Sequence, residues 1–192
     1  MTAIIASDIL LKLSAPGASA GNTTTGTAGN SWGNYISTTQ LSGTALDNLF
    51  TDITGAENAA SQVDYACLFV HNNTASGNSM LNTVCWLPTS SYIAGGATVQ
   101  LGGDPAGATA IGSSVAQAAR ITAATNAPTG VNTWVSNTST TPTSGNSYAN
   151  GVFIGTVAPG QCFAVWFKRT ATNSAPLNND GAGIEVTFDT MA

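Results

Sequence analysis

Few side chains in this chain could carry chemistry, and they are widely spaced. The conspicuous ones are a single histidine, His71, three cysteines, Cys67, Cys85 and Cys162, and the run Gly17-Ala18-Ser19-Ala20-Gly21. The run matches G-x-S-x-G, in which a nucleophilic serine stands on a sharp turn from strand to helix. Here a strand can precede the serine, but a polar, helix-poor tract follows, and the sole histidine would have to serve as base. Gly, Ala and Ser are abundant enough for composition alone to produce the match, so no catalytic residue is expected. His71 ends an alternating stretch and precedes Asn72 and Asn73. The functional reading is a base or metal ligand. Without a carboxylate cluster beside it, a half-buried strand end bonded to a neighbouring loop accounts for it better.

The cysteines are odd in number and none lies in a C-x-x-C pair, which argues against zinc and redox chemistry. All three sit in apolar, strand-like runs, the setting of small buried hydrophobes. Asp47, Asp52, Glu57 and Asp64 flank one short helical stretch, and Asn178, Asn179 and Asp180 form a second oxygen-rich group. Calcium takes six or more oxygen ligands, whereas helix caps and tight turns use the same residues singly. Caps and turns are therefore expected, with no metal and no cofactor. Trp86 and Trp166 lie in two-sided apolar runs and read as core, while Trp134, in a more polar segment, is the better candidate for an exposed, sugar-stacking ring.

The background to these residues is unusual. Only 7% of the 192 residues are charged, with four Lys+Arg and a formal net charge of −5. An average domain has about 25% charged residues. So few cations exclude a phosphate-neutralising stripe and attraction to anionic membranes, so neither nucleic acid nor membrane is an expected partner. The apolar fraction of 43% is near the globular average, so low charge does not mean disorder. Residues 1–13 lack a basic start and are interrupted by Asp8 and Lys12, unlike a secretion signal. The sequons at Asn22, Asn72 and Asn137 then carry no meaning beyond Asn and Thr abundance, and synthesis in a cytoplasm fits. No run approaches the roughly 18 apolar residues of a membrane helix.

The elements that must position these groups are strands. Val63, Tyr65, Cys67, Phe69 and His71 alternate with Asp64, Ala66, Leu68 and Val70. Phe163, Val165 and Phe167 alternate with Cys162, Ala164 and Trp166, and Ile184, Val186 and Phe188 with Glu185, Thr187 and Asp189. Period two with β-branched and aromatic residues predicts strands. Residues 80–87 and 161–170 are apolar on both faces and should lie centrally or under a partner. Weaker strands are expected at 4–13, 97–101, 131–135 and 152–157. The sum is about eight strands in a single all-β sandwich domain, jelly-roll-like, over residues 1–192. Leu46, Leu49, Phe50 and Ile53 predict at most one short helix within 44–60. Residues 105–120 are ambiguous. Polar tracts at 14–43 and 137–150 read as an extended N-terminal arm or loop and a second loop. Both could lie along a neighbour, and Trp32, Tyr35 and Ile36 could anchor the first.

Five phrases carry a resemblance: SDILLKLS (7–14), LDNLFTDITGAENAA (46–60), DYACLFVHN (64–72), APGQCFAVWFKRT (158–170) and APLNNDGAGIEV (175–186). Together, in this order, they are similar to a family of tailed-bacteriophage virion structural proteins. Residues 14–43 and 89–150 match less clearly. The family pattern has a basic residue where this chain has Ala66, which removes an ion pair, and often two Arg where it has Lys168 and Arg169, which preserves the charge. The resemblance implies a capsid decoration (cement) protein. Such a protein would bind the major capsid protein and copies of itself as a homotrimer on the virion surface, after synthesis in the host bacterium. The alternatives are another virion position (head–tail connector, tail tube or fibre base), a carbohydrate-binding adhesin module, and, last, an enzyme.

Overall fold

The computed structural model describes residues 3–43, 47–75, 77–93, 95–142, 150–175 and 181–190, without the side chains of 91–93. Alternation translates directly into strands. In chain order they are β1 (Ile9–Ala15), β2 (Tyr35–Gln40), β3 (Val63–Asn72), β4 (Met80–Trp86), β5 (Tyr92–Ile93), β6 (Ala97–Gly103), β7 (Thr109–Ala110), β8 (Val135–Ser136), β9 (Val152–Val157), β10 (Gln161–Ala171), β11 (Gly181–Ala182) and β12 (Glu185–Thr190). Eight of these have six residues or more, and the other four are two-residue pairs. The larger sheet runs β2-β1-β3-β10-β6-β8, with β7 also on β10, and the smaller runs β12-β4-β9. Every ladder between these strands is antiparallel. The chain is an all-β sandwich.

The two runs that are apolar on both faces, β10 and β4, are the inner strands of their sheets. One face of the large sheet, with Ala66, Leu68, Val70, Phe163, Val165 and Phe167, packs on Met80, Cys85, Val152 and Val157 of the small sheet. Its opposite face, with Cys67, Phe69, Cys162, Ala164 and Trp166, belongs to a second cluster with Ala118, Ile121 and Val131. That second face has no sheet over it. Largely irregular chain from 16–34 and 104–134 covers it instead, so the described residues form a large sheet, a small sheet, a two-stranded β5–β11 ladder and a jacket of loops.

The jacket is where the structure departs from the expected arm. The 14–43 tract contains β2 and lies on the chain's own sheet, with Tyr35 and Ile36 buried and Trp32 half-buried. Ser31 shows how a polar tract achieves this. Its hydroxyl donates to the Cys67 carbonyl at 2.6 Å and accepts from the Ser14 amide at 2.7 Å, all within the interior. Neutral hydrogen bonds, each worth about 1 kcal/mol net, satisfy backbone groups that burial would otherwise orphan. The two loops are also stitched to each other: the Asn34 amide donates to the Ala119 carbonyl, and the Gln117 amide to that of Asn34. Gly33, at φ +81°, makes the close approach. A Cβ there would lie 2.0 Å from the Ala119 carbonyl oxygen, a contact no other residue could tolerate.

The one short helix expected within 44–60 is present, though not at the apolar residues that predicted it, and the strand expected at 131–135 is corrected. The only α-helix among the described residues, α1, spans Gly55–Ala59 and buries nothing, while Leu49 and Phe50 reach the core from bends before it. Leu46 lies outside the described residues. Within 131–135 only Val135 is in a strand. Val131 crosses over the sheet, filling the space above Gly102, where a Cβ would lie 2.4 Å from Val131 Cγ1. Of the ambiguous 105–120, only Thr109–Ala110 joins a ladder. The 137–150 loop is described only at 137–142 and 150, and the Asn178, Asn179 and Asp180 group lies outside the described residues.

Candidate functional site

Ser19 is exposed on a bend, with no helix after it. The neighbouring Gly17 and Ala18 line a shallow hollow of about 120 Å³ that contains no titratable group. His71 is buried at 4% exposure, and no hydrogen bond joins it to Ser19 among the described residues. The expected bond from its ring to a loop is not made by Nδ1, which has no partner. Instead His71 faces Cys162 across the β3–β10 ladder, and buried Lys12 lies on the next strand. Burial, with the Lys12 ammonium adding to it, pushes the imidazole down to about 4, so the ring is neutral near pH 7.

Cys162 is held rather than activated. Its sulfur is 3.3 Å from Gln117 Nε2 and 3.7 Å from the Thr109 hydroxyl, and burial raises the thiol to about 11. Cys67 and Cys85 are likewise buried and free, with burial pushing both thiols up. Among the described residues no three His, Cys, Asp or Glu side chains gather as a metal site would require. Of the carboxylates expected as caps, Glu57 is one: it completes a capping box with Thr54, and those hydrogen bonds hold it below the usual carboxylate range. Asp47 and Asp52 do not cap α1. They sit close enough to bond each other, and desolvation followed by Asp52 raises Asp47. The sequon residue Asn72 is wholly buried, its amide donating to the carbonyls of Asn78 and Val157.

One mixed cleft lies where β1 has left β3 and loop segments take over that strand's edge, the Tyr65 and Cys67 amides donating to the Ala124 and Ser31 carbonyls. It measures about 310 Å³ and wraps from one face of the large sheet to the other. On one side stand Asp64 and Arg169, direct partners across β3 and β10. Arg169 Nη2 donates to Asp64 Oδ2 at 2.8 Å and Nη1 to the Thr51 carbonyl at 2.7 Å, while the guanidinium lies 4.5 Å from the Phe50 ring centre. Gln62 bridges the carboxylates of Asp64 and Glu57 at 2.9 and 3.2 Å. On the other side are Trp32 and Tyr65, both half-buried. Trp134, expected as a free ring, is itself half-buried. It packs against Tyr65 at 5.6 Å between ring centres and carries Lys168 over its face at 5.9 Å.

Sequence reading did not join these groups because they come from separate stretches of chain, around residues 32, 50–65, 134 and 168–169. The one available signal was the alternation that sets Asp64 and Tyr65 on opposite faces of β3, with Arg169 at the polar end of β10. No family model, curated protein or solved structure matches the chain. No helix is long and apolar enough to cross a membrane among the described residues.

Proposed function

We propose that this chain is a structural virion protein of a tailed bacteriophage, a capsid decoration protein that binds the outer shell and stabilises the head. Its partners would be the major capsid protein and further copies of itself, arranged as a homotrimer. The observation that carries the reading is the jacket of neutral loops, joined to the similarity of the five phrases described above. A decoration protein needs broad, rigid, uncharged surfaces rather than ionisable catalysts. Chain segments held by buried Ser and Gln hydrogen bonds supply such a surface with few titratable groups, Asp104 inside it and Arg120 on its outside. Contacts of that kind lose little in salt, and repetition over a shell multiplies modest single affinities. With His71 neutral and buried and the thiols unreactive, the role is one of binding rather than catalysis.

The deciding experiment is electron cryo-microscopy of the particles together with counting of this chain per virion. Density on the head and a copy number on the order of hundreds are expected. Labelling confined to the tail or neck would replace the decoration role with that of another virion part. Absence from purified particles would overturn the reading entirely.

A further inference from the structure

β2, β8, β9 and β12 end the two sheets, and three of these margins are protected. That of β2 is taken by the chain's own loop, where the Asn22 amide donates to the Ile36 carbonyl and the Thr38 amide to that of Thr24. β8 has only two residues, and β9 is interrupted by Gly155 at φ +86°, where its register on β4 shifts. β12 is different. Its six residues pair with β4 alone, and no described residue gives a backbone hydrogen bond to its other margin. The register shift in the β4–β12 ladder places the extra residue in β4, where Asn82 and Thr83 oppose Phe188, so β12 itself runs regularly. An unpaired, regular margin is a template for a further strand.

Burial shows that the sandwich is open on this side. β9 packs over β6 and β10, which leaves β12 toward β3 and β1. Val70 of β3 and Met80 of β4 are fully buried, whereas the core-facing Leu11 of β1 and Val186 and Phe188 of β12, one strand further out, are only half-buried. A fourth strand beside β12 would carry the small sheet over β1 and complete their burial.

Charge selects the strand that fits. With Val186 and Phe188 turned inward, Glu185, Thr187 and Asp189 stand on the outer face. β4, β9 and β12 contain no Lys or Arg, and Asp64–Arg169 is the only ion pair among the described residues, so neither carboxylate meets a cation. Asp189 accepts only from Asn82 Nδ2, at 2.9 Å, and keeps lone pairs free. A second copy pairing its own β12 antiparallel at full overlap would set Glu185 opposite Asp189 twice. Like charges directly opposed destabilise such a pair. The same carboxylates attract a cationic strand, so they act both for one class of partner and against self-association.

We propose that the free margin of β12 receives an extended segment of a partner protein as a fourth strand, with apolar residues turned inward alternating with lysine or arginine on the outer face. Backbone hydrogen bonds to β12 hold the segment, its apolar residues continue the row of Val186 and Phe188, and its cations pair with Glu185 and Asp189. The surface is on the small sheet, away from the loop jacket, and the proposal does not depend on the shell-binding reading.

Amide NMR titration of the full chain tests this, with an end-blocked octapeptide alternating valine and lysine as probe and its valine–glutamate counterpart as control. Two further lysine peptides carry N-methyl groups, one on every valine and the other on every lysine. The lysine peptide should shift the amides of 184–190, and binding should weaken by about tenfold for the glutamate peptide and in Glu185→Lys. Glu185 is exposed, so this variant keeps the fold. Only one N-methylated peptide should bind, because alternate amides of a strand face opposite margins. Absence of shifts at 184–190 with the lysine peptide overturns the proposal. So does equal binding of the glutamate peptide, or full binding of both N-methylated peptides. Concentration-dependent self-association that perturbs the same amides without any peptide would make a second copy the occupant and overturn it as well.

Discussion

Trp166 Nε1 donates a hydrogen bond to Asp104 Oδ2 at 2.8 Å in the interior, joining the central strand β10 to the loop jacket. The same carboxylate accepts from the Ala119 amide at 2.8 Å and, through Oδ1, from the Ala106 amide at 2.9 Å. One buried, fully engaged carboxylate thus organises three separate segments. Asp104→Ala should orphan the indole N–H and the Ala119 amide and lower stability by about 2–4 kcal/mol, read from urea unfolding. A loss below about 0.5 kcal/mol would show that the jacket is held elsewhere.

Asp64 and Arg169 have side-chain exposures of 7% and 13%, so solvent screens their pairing little. Removing one partner leaves a largely buried charge, and Asp64→Ala or Arg169→Met should each cost about 3 kcal/mol. A double-mutant cycle should give a clear coupling between them, little changed between low and high salt. Additive losses would mean that Arg169 acts through Thr51 and Phe50 instead.

His71 makes stability depend on pH. Its folded value of about 4 lies below an unfolded value of about 6.5, so the folded state binds fewer protons between these limits. Stability is therefore complete above about pH 6.5 and is lost as pH falls toward 4, to a total of about 3 kcal/mol. Lys12 and Cys162 face the ring from the adjacent strands, and neither provides a carboxylate to offset the new charge. In His71→Gln this part of the acid limb should disappear in denaturation curves taken from pH 7 to 4. An unchanged limb would assign it to the carboxylates.

The three cysteines should be silent toward a maleimide or aromatic disulfide reagent in the native protein and all react once it is unfolded in guanidinium. Native reactivity of any one would mean that its strand opens locally.

The strands and their faces were legible in the residues alone. Alternation in 63–71 and 161–170 predicts which side chains meet the small sheet and which turn away, and the core clusters divide accordingly. Two-sided apolarity likewise marks β4 and β10 as inner strands. These are local signals, because the pleat sets side-chain direction every second residue whatever the partner.

The jacket, β2 and the cleft were decided by tertiary structure. Ser31 to Cys67, Asp104 to Trp166, Ile36 to Gln117 and Asp64 to Arg169 span 36, 62, 81 and 105 residues. A tract of Ser, Thr, Asn and Gly has no periodicity from which such partners could be inferred, since its conformation is selected by the surface it lands on. Hence the scattered titratable residues read as unrelated in sequence, yet the fold brings His71 to Cys162 and Lys12, and sets Asp64 and Arg169 beside Trp32 and Tyr65.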